Sequence, residues 1–196
     1  MDESQARELF AGDRAEALVE VIEGGWADMT EDGTPWRKTT RANVVHDHTV
    51  RRADAVLLGF DGVRRIERHR IPMYVFDDRA VVRFKKHDGG LLTRNVLTRH
   101  QRDLAVQGVF PGIPSAAVHL CAGYRLDEAE ADISDVVLTK SVTRTKNDWV
   151  IDLRELAAGE MTPLASPLFP DQPTPALPKV GSPAEKKKTD GGPEAP

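Results

Sequence analysis

The sequence predicts an α+β fold, with N-terminal helices followed by a mainly antiparallel sheet of about five strands. Three observations carry this. Apolar residues recur at helical spacing before residue 60, β-branched and aromatic runs replace them after Arg64, and nine of the thirteen prolines crowd into residues 162–196. The expected organisation is one domain over 1–161, with a helical part (1–60), a sheet part (61–161) and one inserted helix. A proline-rich tail over 162–196 is expected to be disordered.

The elements follow in order. Asp13 and Glu16 form a capping pair, and Ala15, Leu18, Val19 and Ile22 then share one helical face. Gly24-Gly25 is read as the end of this helix, and Trp26 to Trp36 as a loop. A second helix is expected from about Thr40 to Leu58, with Val45, Thr49, Ala53, Val56, Leu57 and Phe60 on its apolar stripe. Ile71–Phe76 and Ala80–Lys85 read as a hairpin turning at Asp77-Asp78-Arg79. Pro72 must lie near a strand start or on an edge, because it offers no N–H to a ladder. Asp88-Gly89-Gly90 closes the second strand. Thr98 and Gln101 open the inserted helix, which runs to about Gln107, and Phe110 to Pro114 forms a rigid turn. Three further strands are expected at Ala117–Leu126, Ile133–Val142 and Trp149–Leu153, and a short closing helix over Asp152–Gly159. The tail cannot bury enough surface to offset ~1–2 kcal/mol of ordering entropy per residue. Its Pro167–Pro170, Pro170–Pro173 and Pro175–Pro178 spacings match PxxP ligands, although a plain solubilising tail explains them as well.

Composition then narrows the function classes. A single cysteine rules out a disulfide scaffold or a four-cysteine zinc module. The longest apolar run, Ala55 to Phe60, is far short of the ~20 residues that span a bilayer. The acidic, polar start Met1-Asp2-Glu3-Ser4 does not resemble a secretory signal. A soluble cytoplasmic protein without membrane contact is expected. The formal charge of −4 is unevenly spread. Residues 1–35 carry net −8, residues 36–102 net +9 and residues 103–161 net −5, while the tail is neutral by count.

Catalytic patterns are sparse. His46 and His48 are two apart on a predicted helix and therefore diverge, and no HExxH occurs. A metal-dependent nuclease of the PD-(D/E)xK type needs carboxylates converging on a cation beside a lysine. Glu67, Asp77 or Asp78 with Lys85 offers a near miss, since Arg83 stands where the second acid belongs. Cys121 and His119 share a strand face, but their small apolar neighbours suit a buried thiol. GxSxG, Walker and GxGxxG patterns are missing. No cofactor is expected.

The basic block says more about binding. Arg64, Arg65, Arg68 and Arg70 precede the hairpin, Arg83, Lys85 and Lys86 lie on its second strand, and Arg94, Arg99 and Arg102 follow. Alternation sets Arg83 and Lys85 on one side, against Val82, Phe84 and Lys86 on the other. A cationic hairpin face of this kind suits an acidic protein or the phosphates of a nucleic acid. It equally suits neutralisation by the chain's own acidic N-terminal segment.

Four strings carry a family resemblance: Phe76 to Lys86, Pro111-Gly112-Ile113-Pro114, Ala122 to Leu126 and Trp149 to Leu153. Through them residues 60–155 resemble uncharacterised bacterial and phage proteins encoded beside ImmA/IrrE-type metallopeptidases in repressor or toxin–antitoxin-like loci. The resemblance implies a regulatory partner role, with a metallopeptidase-type regulator as one candidate partner, and transfers no catalytic residue. The expected function is therefore non-enzymatic: an interaction module binding a protein through Arg64, Arg65, Arg68, Arg70, Arg83, Lys85, Arg94 and Arg99. The alternatives are the nuclease and a non-catalytic nucleic-acid-binding protein.

Overall fold

The computed structural model describes residues 1–68, 70–93, 115–143 and 145–159. The expected helix from Thr98 to Gln107, the Phe110–Pro114 turn and the tail lie outside these residues. Three helices, α1 (Glu3–Phe10), α2 (Asp13–Glu31) and α3 (Lys38–Val56), precede the sheet. Six strands follow: β1 (Val63–Arg68), β2 (Ile71–Phe76), β3 (Ala80–Lys86), β4 (Val118–Leu126), β5 (Ile133–Thr143) and β6 (Lys146–Asp152). A short helix, α4 (Leu153–Ala157), closes the described chain.

Helix α1, unforeseen from sequence, starts with a reciprocal capping box. Gln5 N–H donates to Asp2 Oδ1 at 2.9 Å, and Asp2 N–H to Gln5 Oε1 at 3.0 Å. Asp13 does not cap α2. Gly12, at φ 64°, occupies the cap position without a side-chain bond, and Asp13 and Glu16 lie in the first helical turn. There both carboxylates favour the positive end of the helix dipole.

The glycine pair corrects the sequence reading most. Helix α2 continues through Gly24-Gly25 to Glu31, because Gly25 lies directly against α3. A Cβ on Gly25 would overlap Thr49 Oγ1 and stand 2.8 Å from the Thr49 backbone nitrogen. The glycine permits helix contact rather than ending a helix. Thr49 is itself buried, its hydroxyl donating to Val45 O at 2.8 Å.

The hairpin is as expected. Asp77 and Asp78 have φ of 48° and 55°, and Arg79 N–H donates to Phe76 O at 2.9 Å. This is a type I′ turn, whose twist suits the flanking strands and whose left-handed sites aspartate tolerates. Pro72 sits second in β2, opposite Glu67, below the Tyr74–Phe76 stretch that pairs with β3.

The strand order is β1-β2-β3-β4-β5-β6, and the β3–β4 pair is parallel while the other four pairs are antiparallel. The sheet is thus mixed and six-stranded, one strand more than expected. The additional strand is β1, which the sequence reading had passed over as an arginine-rich lead into the hairpin.

The helices pack on one sheet face, with Tyr74, Phe76, Val82, Phe84, Leu120, Tyr124, Leu138 and Ile151 beneath them. Phe10 meets Phe76 edge-on at 4.9 Å, and Tyr74 meets Phe84 at 5.7 Å. Fully burying each such ring contributes roughly 1.5–3 kcal/mol. The other face holds Met73, Val75, Val81 and Ala117. Among the described residues, no helix is long and apolar enough to cross a membrane.

Candidate interaction site

The predicted binding residues separate into distinct environments. Arg64 and Arg65 project from β1, which ends the sheet. Arg64 Nη2 donates to Asp78 Oδ1 at 2.8 Å, and Arg65 reaches Asp54 at 2.6 Å and Glu67 at 3.0 Å. Arg68 is half-buried at the end of the same strand, and Arg70, at φ 63°, stands exposed in the turn that follows. Arg94 and Arg99 lie outside the described residues.

Arg83 does not face solvent. It is 8 % exposed, and its Nε donates to Cys121 Sγ at 3.1 Å. The alternation does divide the strand as read, with Val82 and Phe84 under the helices. But the opposite face is buried as well, as the near-zero exposure of Met73, Val75 and Val81 shows. Lys85 is half-buried there. Burial, reinforced by the Arg83 charge, pushes its ammonium below the usual lysine range.

The carboxylates of the nuclease alternative are not brought to Lys85. Asp77 accepts both Arg14 Nη1 and Nη2, at 2.7 and 3.0 Å, and Arg14 holds its carboxyl below the usual range. Asp78 and Asp77 occupy the turn that starts β3, whereas Lys85 lies near its far end. At roughly 3.3 Å per residue that strand sets them more than 15 Å apart. Glu67 shares the helix-side face of β1 with Arg65, opposite to the face Lys85 takes. Among the described residues, no three His, Cys, Asp or Glu side chains group to hold a metal ion.

A second region gathers residues that, Lys86 of the basic block aside, were not expected to bind. A cleft of about 950 Å³ lies where β3 and β4 end, lined by Ala42, Lys86, His87, Arg125, Glu130 and Ser134, among others. Strands β3 and β4 are parallel, so both carboxyl ends lie on this side.

Glu130 dominates one wall. Its carboxylate meets Lys38 Nζ at 2.6 Å, Lys86 Nζ at 3.3 Å and Arg41 Nη2 at 3.4 Å. The Lys38 bond, then that of Lys86, holds the carboxyl below its ordinary range. Arg41 also donates to Glu130 O at 3.1 Å and stacks over Trp26 at 5.5 Å, which fixes the guanidinium. Glu130 itself has φ 54°, in a loop tied by Ala131 N–H to Asp127 Oδ1 at 2.8 Å. Opposite, Arg125 is held by Asp135 at 2.6 Å and by Gly89 O at 3.2 Å.

His87 belongs to the same cleft yet is 2 % exposed. Its Nε2 lies 3.2 Å from Thr139 Oγ1, while Nδ1 is buried without a hydrogen-bond partner. Burial lowers its pKa to about 4, so the ring is neutral near pH 7. Gly123 makes room for this arrangement. A Cβ there would overlap the Lys85 carbonyl oxygen and come within 3.1 Å of His87 Nδ1.

No protein-family model matches the chain, and neither does any curated protein or solved structure.

Proposed function

We propose that the protein is a non-enzymatic interaction module that binds an acidic, extended segment of a protein partner along β1. The observation that carries this reading is the position of β1 as a terminal strand bearing arginines. Among the described residues it pairs only with β2, and on that count its other edge offers backbone N–H and C=O groups to an added strand. Arg64, Arg65, Arg68 and Arg70 line that edge, on both of its faces. The ion pairs made by Arg64 and Arg65 are exposed, and such pairs contribute only about 0–1 kcal/mol. An incoming carboxylate exchanges with them at little cost. The resemblance of residues 60–155 supports the same reading, a partner of a metallopeptidase-type regulator in a bacterial or phage locus.

Fluorescence anisotropy of the full chain with a labelled ten-residue peptide of alternating Glu and Val tests it. Arg64→Glu combined with Arg70→Glu is expected to weaken binding about tenfold or more at low salt, with the difference from wild type shrinking as salt rises. Equal binding by the double variant overturns the reading. So does a single-stranded oligonucleotide that binds in preference to the peptide.

A further inference from the structure

The hydrogen-bond phase of β1 and the charges on its two faces decide which segment fits its open edge. Asp77 N–H donates to Gly62 O at 2.9 Å, and backbone groups alternate in direction along an antiparallel strand. Arg64, Ile66 and Arg68 therefore turn their N–H and C=O groups toward β2, while Val63, Arg65 and Glu67 turn theirs outward. Val63 N–H is already given to Phe60 O at 3.2 Å. The outward ladder thus consists of the Arg65 and Glu67 N–H groups and the carbonyls of Val63, Arg65 and Glu67. The two faces differ in charge. On the helix side the Arg65 guanidinium already serves two carboxylates, Asp54 at 2.6 Å and Glu67 at 3.0 Å. On the other side Arg64 and Arg68 flank Ile66, across from Val75, Ile71 and Met73 of β2. There Asp78 answers Arg64 through an exposed pair. Ile66 is half-buried and packs against the buried Met73 and Val75, so the apolar floor of that face reaches the sheet edge.

We infer that the added segment carries an acid-x-apolar-x-acid pattern, with its carboxylates set against Arg64 and Arg68 and its apolar side chain against Ile66. This rests on the reading of β1 as a partner-binding edge and specifies the partner. Directly opposed residues of neighbouring strands share a face. The first, third and fifth positions of the segment therefore meet Arg64, Ile66 and Arg68, and the second and fourth meet Arg65 and Glu67. A carboxylate at either of the latter would bring a third negative charge to a face that holds two around one guanidinium. The apolar residue extends the Met73–Val75–Ile66 floor by one strand. The pattern reads the same in both chain directions, so it holds for a parallel or an antiparallel addition.

Two labelled nine-residue peptides of equal composition test the pattern by fluorescence anisotropy with the full chain. One has the core Glu-Thr-Val-Thr-Glu and the other Thr-Glu-Val-Glu-Thr, each flanked by serines. No register sets both carboxylates of the second core against Arg64 and Arg68, because they stand only two residues apart. The first core is expected to bind about fivefold more tightly at low salt. In Arg64→Glu, a change at an exposed position, the preference should pass to a core in which one terminal Glu is replaced by Lys. Equal affinity for the two cores, binding of the alternating Glu–Val peptide alone, or an unchanged preference in Arg64→Glu overturns the pattern while the edge reading stands. Failure of both cores and of the Glu–Val peptide to bind overturns the edge reading, and the pattern with it.

Discussion

Replacing Gly25 with alanine sets two well-measured effects against each other within one helix. Alanine is favoured over glycine in a helix interior by about 1 kcal/mol, so propensity alone predicts a more stable protein. At Gly25, however, the new methyl would stand 2.8 and 2.9 Å from the backbone nitrogen and Cα of Thr49. Those atoms belong to α3 and cannot rotate aside, so the two helices must separate by about half an ångström or more. Overpacking of this kind costs typically about 1–3 kcal/mol and occasionally more. The backbone contact points to the upper part of that range, leaving a net loss of about 2 kcal/mol. Gly24 supplies the control one residue earlier. The three atoms nearest to a Cβ there all belong to the Arg52 guanidinium, at 2.6–2.8 Å. That side chain can swing away, at the expense of a part-buried, two-pronged ion pair with Asp28 contributing about 1 kcal/mol. The propensity gain offsets that loss, so Gly24→Ala should be neutral within about 0.5 kcal/mol. Urea unfolding of the two variants beside wild type measures both numbers. Gly25→Ala as stable as Gly24→Ala would refute the argument that Gly25 serves helix contact.

Further consequences follow from the core and its titrating groups. Gly123→Ala forces a methyl onto the Lys85 carbonyl oxygen within the parallel pair, and should cost about 3 kcal/mol by denaturant melts. Gly89→Ala, which meets nothing, should stay within about 0.5 kcal/mol of wild type. Tyr74→Phe deletes the hydroxyl that donates to Asp54 Oδ1 at 2.8 Å and Val50 O at 3.1 Å. A loss of about 1.5–3 kcal/mol is expected, since one acceptor is charged, and an unchanged urea midpoint would show the bonds to be dispensable. For pH, burial holds His87 at about 4 and lowers His46 in the same direction, so the unfolded chain binds more protons below pH 6.5. Stability is therefore complete above about pH 6.5 and declines as pH falls toward 4, with His87 contributing up to about 3 kcal/mol of the loss. The carboxyls that fold at lowered pKa, Asp28, Asp77 and Asp135, act only below about 4, where their pairing is lost. A stability–pH curve for His87→Gln with the wild-type slope between 4 and 6.5 would exclude His87 as its source.

How far the fold was legible depends on which interaction decides each element. The β2–β3 hairpin and strands β4 to β6 show in the sequence because β-branched and aromatic residues must alternate over a buried face. Strand β1, Val-Arg-Arg-Ile-Glu-Arg, has no such alternation. It is a strand because β2 pairs with it from Val63↔Phe76 to Arg68↔Ile71, and that partner choice leaves no mark in β1 itself. The parallel β3–β4 pair was hidden for a related reason. Alternation reports which face a side chain takes, whereas it is silent on which strand lies alongside. The candidate cleft is less legible still. Arg41 and Glu130 are 89 residues apart and meet only through the packing of α3 against the β4–β5 loop. The one available signal was the acidic link Asp127–Asp132, set against a basic block with no stated destination.

The charge blocks of the sequence also resolve differently in three dimensions. The acidic first 35 residues were expected to neutralise the basic hairpin if anything within the chain did. The contact that forms has the opposite polarity, Arg14 of α2 donating to Asp77 of the hairpin turn. Arg64 and Arg65 find carboxylates on α3, on β1 itself and in the turn, while Arg83 leaves the surface altogether. Screening explains why segment totals fail as a guide: beyond about 8 Å at physiological salt, exposed charges scarcely interact. Local stoichiometry therefore decides where a charge remains available to a partner. On that criterion Asp77, answered by the single Arg14 fork, is a structural tie. Glu130, answered by Lys38, Arg41 and Lys86, ties helix α3 and strand β3 to the β4–β5 loop.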